Sequence, residues 1–518
     1  MSLVSSMNIA QQALSVNQAA ITVISNNISN VDTEGYSKLR VNQTAIINST
    51  PSAGNATALA ESCSGVKISS VDRYADPYLQ SYYRQENSTA SYLSEYSTVA
   101  TNVQNLTNEL NGTGLSDALT NFYTAVDSLN SSPNDLTARE NYVQQAQIVC
   151  TQFNDTATNL NDIQKSLVGD FSTPGSLDSS QISGSVNDVN SLLSQIADVN
   201  NGIIKTNSGS NSSSSLLDQR DMLLTKLSAL IPADINENSN GTVNVSLGDT
   251  DLIKGTKVMG ELSVESVNAL PPVAVKFTDT NGNTTDVTTK IDSGSIGAML
   301  DVCGSDPNKL TISGVMKNLD AMASNFSSVL NKIQNGDPNS DGTVALAIDK
   351  TTKKLIESNP AVNFFVTSDG TAAITAKNIS VKSDFTTDPY LVSTARLDKA
   401  TYEANPTAYE NQTGNSTNTG LIVKSRLQSN SSLDDLTLEG YLSGSVASIG
   451  SKVSDISTSL TNQKLVLSTV KSNLQAATGV NQDEELVDLV KYQRAYQAAA
   501  RVFSVCNDLL GELVNLGK

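Results

Sequence analysis

Side chains that move protons, hold metals or act as nucleophiles cluster in few places in this chain. Asp337, Asn339, Asp341 and Gly342 copy the opening of a calcium loop. The twelfth position of that frame is Ile348, where a bidentate glutamate is needed, so the stretch reads as a solvated turn. Asp483-Glu484-Glu485 could pair carboxylates for acid–base work, but three adjacent acids at a helix start are better explained by the helix dipole. Cys63, Cys150, Cys303 and Cys506 are far apart and show no paired spacing. They read as small reduced hydrophobes, neither a disulfide framework nor a metal site. The chain has no histidine, which removes Ser-His-Asp and Cys-His catalysis and the commonest zinc ligand. There is no phosphate loop, nucleophile elbow or CxxC. Asn-x-Ser/Thr triplets, at Asn42 and Asn105 for example, are expected by chance in so Ser- and Asn-rich a chain. The expectation is a protein with no catalytic residue, no metal and no cofactor.

What is patterned instead is apolar surface at the two ends. Leu3, Met7, Ala10, Leu14, Asn17, Ile21, Ile24, Ile28 and Val31 alternate four and three apart, the seam of a coiled-coil helix about 43 Å long. No charged residue occurs between Met1 and Val31, so the other face is wet but neutral. At the opposite end Leu486, Leu489, Gln493, Tyr496, Ala500, Phe503, Asn507, Leu510 and Val514 repeat the spacing. Val490, Val502, Cys506, Leu509 and Leu513 widen that stripe. Asn481 with Glu484 reads as the helix start. Gln493, Tyr496 and Asn507 read as register-fixing contacts between helices and not as a ligand site. Each end offers more apolar face than one partner covers, so copies are expected to bury one another's termini. The expected assembly interface is Leu3, Met7, Leu14, Ile21, Ile24 and Ile28 with Leu486, Leu489, Tyr496, Phe503 and Leu510.

The rest of the chain sets the bounds. Its 518 residues exceed one core, so three or four domains are expected. A net charge of −19 and a pI near 4.4 disfavour nucleic acid and anionic membrane as partners. No run of 18 apolar residues and no basic N-terminal region occur, so neither a membrane span nor a conventional signal peptide is expected, which alone would say cytoplasmic. Residues 48–61 read as a loop and Gly65-Val66-Lys67-Ile68 as a short strand. Helical stripes dominate to about residue 230, broken by the serine run 208–215. The period then falls to two around Val243, Val245 and Leu247 and around Val273, Val275 and Phe277, with turns at Asn240-Gly241 and Asn281-Gly282. A final heptad row from Val446 to Leu474 is expected to pair with the stripe Val143–Leu167 in a bundle. The fold class is therefore multi-domain α+β, with long terminal coiled-coil helices, a helical-bundle body and inserted mainly-β outer domains. Residues 1–44 and 479–518 form the terminal domain, and 45–234, 309–340 and 425–478 the bundle. Residues 235–308 form a β insertion and 341–424 a mixed outer region.

Three runs carry a resemblance. Ser25-Asn26-Asn27-Ile28-Ser29-Asn30-Val31-Asp32-Thr33-Glu34-Gly35-Tyr36-Ser37 resembles the N-terminal signature of the bacterial flagellar axial proteins, except that Glu34 stands where the family often has Pro. Gly479-Val480-Asn481, Asp483-Glu484-Glu485 and the run Tyr492 to Val502 resemble their C-terminal signature. Leu216-Leu217-Asp218-Gln219-Arg220-Asp221 resembles the hook-associated protein 1 branch; the block also reads simply as a polar turn of a packed helix. The resemblance implies a structural, non-enzymatic subunit of the hook–filament junction, secreted through the flagellar type III export apparatus. It implies a tube with terminal helices innermost. Its partners would be further copies of itself, the hook protein, the second hook–filament junction protein and an export chaperone at the C-terminal helix. Two other readings are a hook or rod subunit, or a flagellum-borne enzyme or adhesin with activity in residues 235–430.

Overall fold

The computed structural model describes residues 3–47, 63–107, 114–170, 177–207, 213–267, 272–336, 342–359 and 362–516. The loop expected at 48–61, most of the serine run, and Asp337, Asn339 and Asp341 of the calcium-like stretch lie outside them.

Helix α1 (Leu3–Ser29) leads through a turn into a hairpin, β1 (Leu39–Ile47) and β2 (Cys63–Arg73). The body follows with α2 (Pro77–Thr107), α3 (Leu115–Ser131), α4 (Leu136–Val168), α5 (Gln181–Asn207) and α6 (Ser214–Leu230). Strands β3 (Asp234–Glu237), β4 (Val243–Leu247), β5 (Thr250–Lys254) and β6 (Lys257–Val258) form one antiparallel sheet. A second contains β7 (Gly260–Ser266), β8 (Val273–Asp279) and β9 (Thr284–Asp286). After α7 (Gly294–Val302) and α8 (Ile312–Asn335) come β10 (Thr343–Ile348), β11 (Leu355–Glu357), β12 (Phe365–Thr367), β13 (Ile379–Val381) and β14 (Ala395–Asp398). Short helices α9 (Ser383–Thr387), α10 (Lys399–Ala404) and α11 (Thr417–Ser425) are set among them, before the long α12 (Leu438–Thr478) and α13 (Gln482–Leu516). No helix among the described residues is long and apolar enough to cross a membrane.

One expected pairing is corrected. The heptad row of α12 does pack, through Ile449, Val453 and Val470, but α12 runs along α2, while α4 packs on α3. Both α2 and α4 carry stripes, and spacing alone cannot say which faces α12. The hairpin β1–β2 packs on α1, and the two are taken together as the terminal module. Residues 235–308 end in a helix, α7, which packs on α2, and their strands share one continuous core with the bundle. Val245, Ile253, Val275 and Phe277 sit in the same cluster as Val99 and Ile196. Small sheets bury one face only against something else, and here that something is α5, where Asn190 and Asn200 hydrogen-bond the strand backbones. Residues 341–424 are likewise tied in: Phe364 and Phe385 join Phe122, Tyr142 and Phe326 in one aromatic core.

Arg139 makes that second tie. It is fully buried and donates to the carbonyls of Pro133, Pro389, Tyr390 and Val392 and to the Thr394 hydroxyl. Burial without a carboxylate partner pulls its pKa down to about 10.

Candidate assembly interface and its joint to the body

The three resembling runs meet at one place, the joint between terminal module and body. Asn27, fully buried near the end of α1, uses its whole amide there. Its Nδ2 donates to the Leu39 carbonyl and to Glu485 Oε2, each at 2.9 Å. Its Oδ1 accepts from the Tyr36 hydroxyl at 2.9 Å and from Leu39 N at 3.0 Å. Glu485, only 2% exposed, is also paired to Lys38 at 2.8 Å. Burial works against the Lys38 charge, but Glu485 and Glu484 together hold its pKa above the usual value. Burial, followed by the charges of Asp218 and Glu485, pushes the Tyr36 hydroxyl up to about 12. Asn481 Oδ1 accepts from Asp483 N at 3.1 Å, so Asn481 caps α13. The acids that suit the dipole thus have a second use: Glu485 is the buried polar pin between the terminal helices and the turn.

The turn needs no proline at Glu34. Gly35 supplies the left-handed backbone at φ +80°, and the exposed Glu34 side chain reaches Lys471 of α12 at 3.2 Å.

The Leu216-Leu217-Asp218-Gln219-Arg220-Asp221 block lies on α6 directly beneath. Asp218 and Asp221 grip Arg73, the last residue of β2, at 2.7 and 2.6 Å. Burial opposes the Arg73 charge, yet the two acids, Asp221 foremost, keep its pKa raised. Asp221 also accepts from Gln80 of α2 at 3.0 Å, and Asp218 from Ser37 N at 3.4 Å. Arg220, buried, pairs with Asp221 and Glu237 and donates to the Gly241 carbonyl at 2.7 Å. One helix turn therefore ties the hairpin, α2 and the β3–β4 sheet together. Removing one member of a buried ion pair costs about 3–5 kcal/mol, because the partner charge is stranded.

Beyond the joint α1 runs along α13. On α1, Ile24 is buried and Leu3, Met7, Leu14, Ile21 and Ile28 are half-buried. On α13 the covered row is Glu485, Leu489, Tyr492, Ala499, Phe503, Cys506 and Leu510. Of the expected interface residues there, Leu489, Phe503 and Leu510 are half-buried, whereas Leu486 and Tyr496 face solvent. Gln493 and Asn507 are exposed, so they fix no register within this chain; Asn27 and Glu485 hold that position. The helix is apolar on two sides, and periodicity does not say which side meets α1. The second side stays open: Val487 is 69% exposed and Leu513 63%, with Val490, Val502, Val505 and Leu509 between them. The neutral face of α1 is exposed at Gln11, Ser15, Gln18, Thr22, Ser25 and Ser29. Ser15, Thr22 and Ser29 turn their hydroxyl hydrogens back to the carbonyls of Gln11, Gln18 and Ser25.

Sequence reasoning missed Asn27, Tyr36, Lys38, Arg73 and Gln80 as joint residues. Asn27 could have been found: its i,i+4 neighbours on the inner row are apolar, and a lone amide there needs a partner.

Residues 100–349 match the family model described as the flagellar hook-associated protein FlgK helical domain. Residues 473–516 match that of the flagellar basal body rod FlgEFG protein C-terminus, and 7–36 that of the flagella basal body rod protein. The chain is 26% identical over 574 residues to flagellar hook-associated protein 1 of Salmonella typhimurium, covering 98% of this chain and 99% of the relative. Against the Bacillus subtilis protein of the same name it is 23% identical over 530 residues, covering 98% and 97%. The solved hook junction protein FlgK of Burkholderia pseudomallei superposes with a TM-score of 0.56 at 16% identity, over 76% of this chain and 99% of that one, and so shares the fold. With end-to-end relatives of one name and flagellar family models matching its middle and both ends, the chain belongs to the hook-associated protein 1 family of structural flagellar proteins.

Proposed function

We propose that this chain forms the junction between hook and filament by helical self-assembly through α1 and α13, with the hook protein on one side and the second junction protein on the other. The observation that carries this is the open apolar row on α13, from Val487 to Leu513, which lies beside the row already used against α1. A soluble monomer rarely leaves so long a stripe uncovered. The expected interface residues Leu486 and Tyr496 belong to this open side. Leu3, Met7, Leu14, Ile21, Ile24, Ile28, Leu489, Phe503 and Leu510 support it by fixing how the two helices lie. In this reading the terminal module is innermost, the bundle surrounds it, and the sheets lie outside. The chain has no enzymatic role and leaves the cell through the flagellar export apparatus. An export chaperone covers the α13 row beforehand. The neutral, self-bonded face of α1 then lines a channel through which cargo of either charge passes.

Electron microscopy of cells lacking the chain tests this. Intact hooks with detached filaments are expected; filaments still attached would overturn it. Val490→Asp with Val502→Asp is expected to reproduce the deletion while the purified variant keeps its melting temperature, since both positions are open in the single chain.

A further inference from the structure

A cleft of about 720 Å³ opens between the terminal module and the body. Its walls are the turn at residues 31–37, Arg84 of α2, Lys226 of α6 and Lys471 of α12, over apolar ground at Met222 and Leu474. Arg84 is the unusual member. Burial pulls its pKa down, and it has no hydrogen bond or ion pair among the described residues. Most acids near it are paired, Asp218 and Asp221 with Arg73, Glu237 with Arg220, and Glu34 with Lys471; Asp32, in the wall formed by the turn, is exposed. Lys226 is exposed and equally unpaired. A half-buried guanidinium presents a planar fork suited to a carboxylate, and leaving it unmatched is costly.

The opposite end of α12 carries the complement. That helix has 41 residues, about 60 Å at ~1.5 Å per residue. Just before its start stands a knob: Leu427, 81% exposed, and Leu436, 45% exposed, flank the exposed Asp434 and Asp435, which have no ion pair among the described residues. The knob is held in shape by Leu433, fully buried, by the bridge between Asn430 and Leu436, and by Asn430 Oδ1 accepting from Ser432 N. Acid tips with apolar shoulders match a cleft with a basic rim and an apolar floor, and the volume suits two or three side chains.

We propose that the knob of one copy docks in the cleft of another, with Asp434 or Asp435 taking the Arg84 guanidinium and Leu436 resting on Met222 and Leu474. This inference rests on the reading that the chain self-assembles. Because knob and cleft lie at opposite ends of one helix, the contact is head-to-tail. It extends a polymer instead of closing a dimer.

The test uses cells in which the chain replaces its deleted counterpart. Arg84→Glu, and Asp434→Lys with Asp435→Lys, are each expected to cut attached filaments ~10-fold or more, as breaking a desolvated charge pair does. Exported amounts should stay unchanged. Combining the swaps should restore attachment. A photo-crosslinker at position 436, in mixed isotope-labelled and unlabelled copies, is expected to join a peptide of residues 222–226 or 471–480 from a second copy. Normal attachment with either swap, no restoration on combining them, or crosslinks only to another protein would overturn the proposal. So would a crosslinker at position 84 that captures only Asp32 of its own copy. If export of Arg84→Glu falls, Arg84→Gln and the crosslink at 436 still decide. Failure of the junction reading itself would show separately, as attached filaments in the deletion strain.

Discussion

Replacing Asn27 by Asp changes one amide nitrogen into an oxygen and leaves shape and volume alone. That nitrogen donates to two acceptors 2.9 Å away, the Leu39 carbonyl and Glu485 Oε2. An ionised aspartate would face the Glu485 carboxylate at that distance, a repulsion of ~5–6 kcal/mol at an effective dielectric near 20. Holding a proton avoids it, at a cost of ~1.4 kcal/mol for each pH unit above the free carboxyl value near 3.9, or ~4 kcal/mol at pH 7. Protonation is the cheaper route, so ~4 kcal/mol is the ceiling at neutral pH. The folded pKa of this aspartate is therefore raised above the unfolded one. Its contribution to stability is complete below the unfolded pKa and is lost as pH rises through the folded one. Asn27→Asp should approach the wild type at pH ~4 and weaken by ~1.4 kcal/mol per unit up to pH 7. Amide exchange at residues 20–29 and 485–499, corrected for intrinsic rates, reads this as a local opening free energy. Asn27→Leu is the control, because it loses the same donors with no titration of its own. A pH-independent loss in Asn27→Asp, or a larger loss at low pH, would refute the assigned hydrogen bonds.

Arg139→Met should lower stability by about 3–5 kcal/mol, because four carbonyls and a hydroxyl lose their donor inside the core; calorimetry of the purified chain reads it. Gly294→Ala should cost more than an ordinary surface change. Its φ is +73° and an added Cβ would lie 2.4 Å from the Leu230 carbonyl oxygen, so thermal melting should fall clearly below that of Gly282→Ala, which meets nothing. Gln11→Lys with Gln18→Lys should leave the monomer's melting temperature in place, since both side chains are exposed, while shortening filaments grown through the junction.

The heptad rows were legible because long helices repeat their burial many times, so a single misplaced residue does not hide the period. Ile449, Val453 and Val470 on α12 were found this way. Partner choice was not legible: α12 lies on α2 because of three-dimensional fit, and α2 and α4 carry interchangeable stripes. The rotation of the α13 seam has the same origin. Leu486 and Glu485 differ by one position, and only the half-buried Lys38 and the buried Asn27 explain why the charged residue points inward. Strands were legible where alternation met a turn pair, as at Asn240-Gly241 before β4. Their attachment to the bundle depended on single amides such as Asn200, which no pattern marks.

The joint's chemistry bears on why it is polar at all. An apolar joint of the same size would hold as firmly, since buried ion pairs contribute little net stability over well-packed hydrophobes. But the termini already carry one apolar row meant for α1 and another left open, and a third greasy surface could slide against either. Arg73 between Asp218 and Asp221, and Glu485 between Lys38 and Asn27, accept only one arrangement. They set the direction in which the open row of α13 points relative to the body. Substitution of Asp218, which lies outside both the open row of α13 and the cleft, should therefore disturb assembly by misaiming the terminal helices rather than by weakening their contacts.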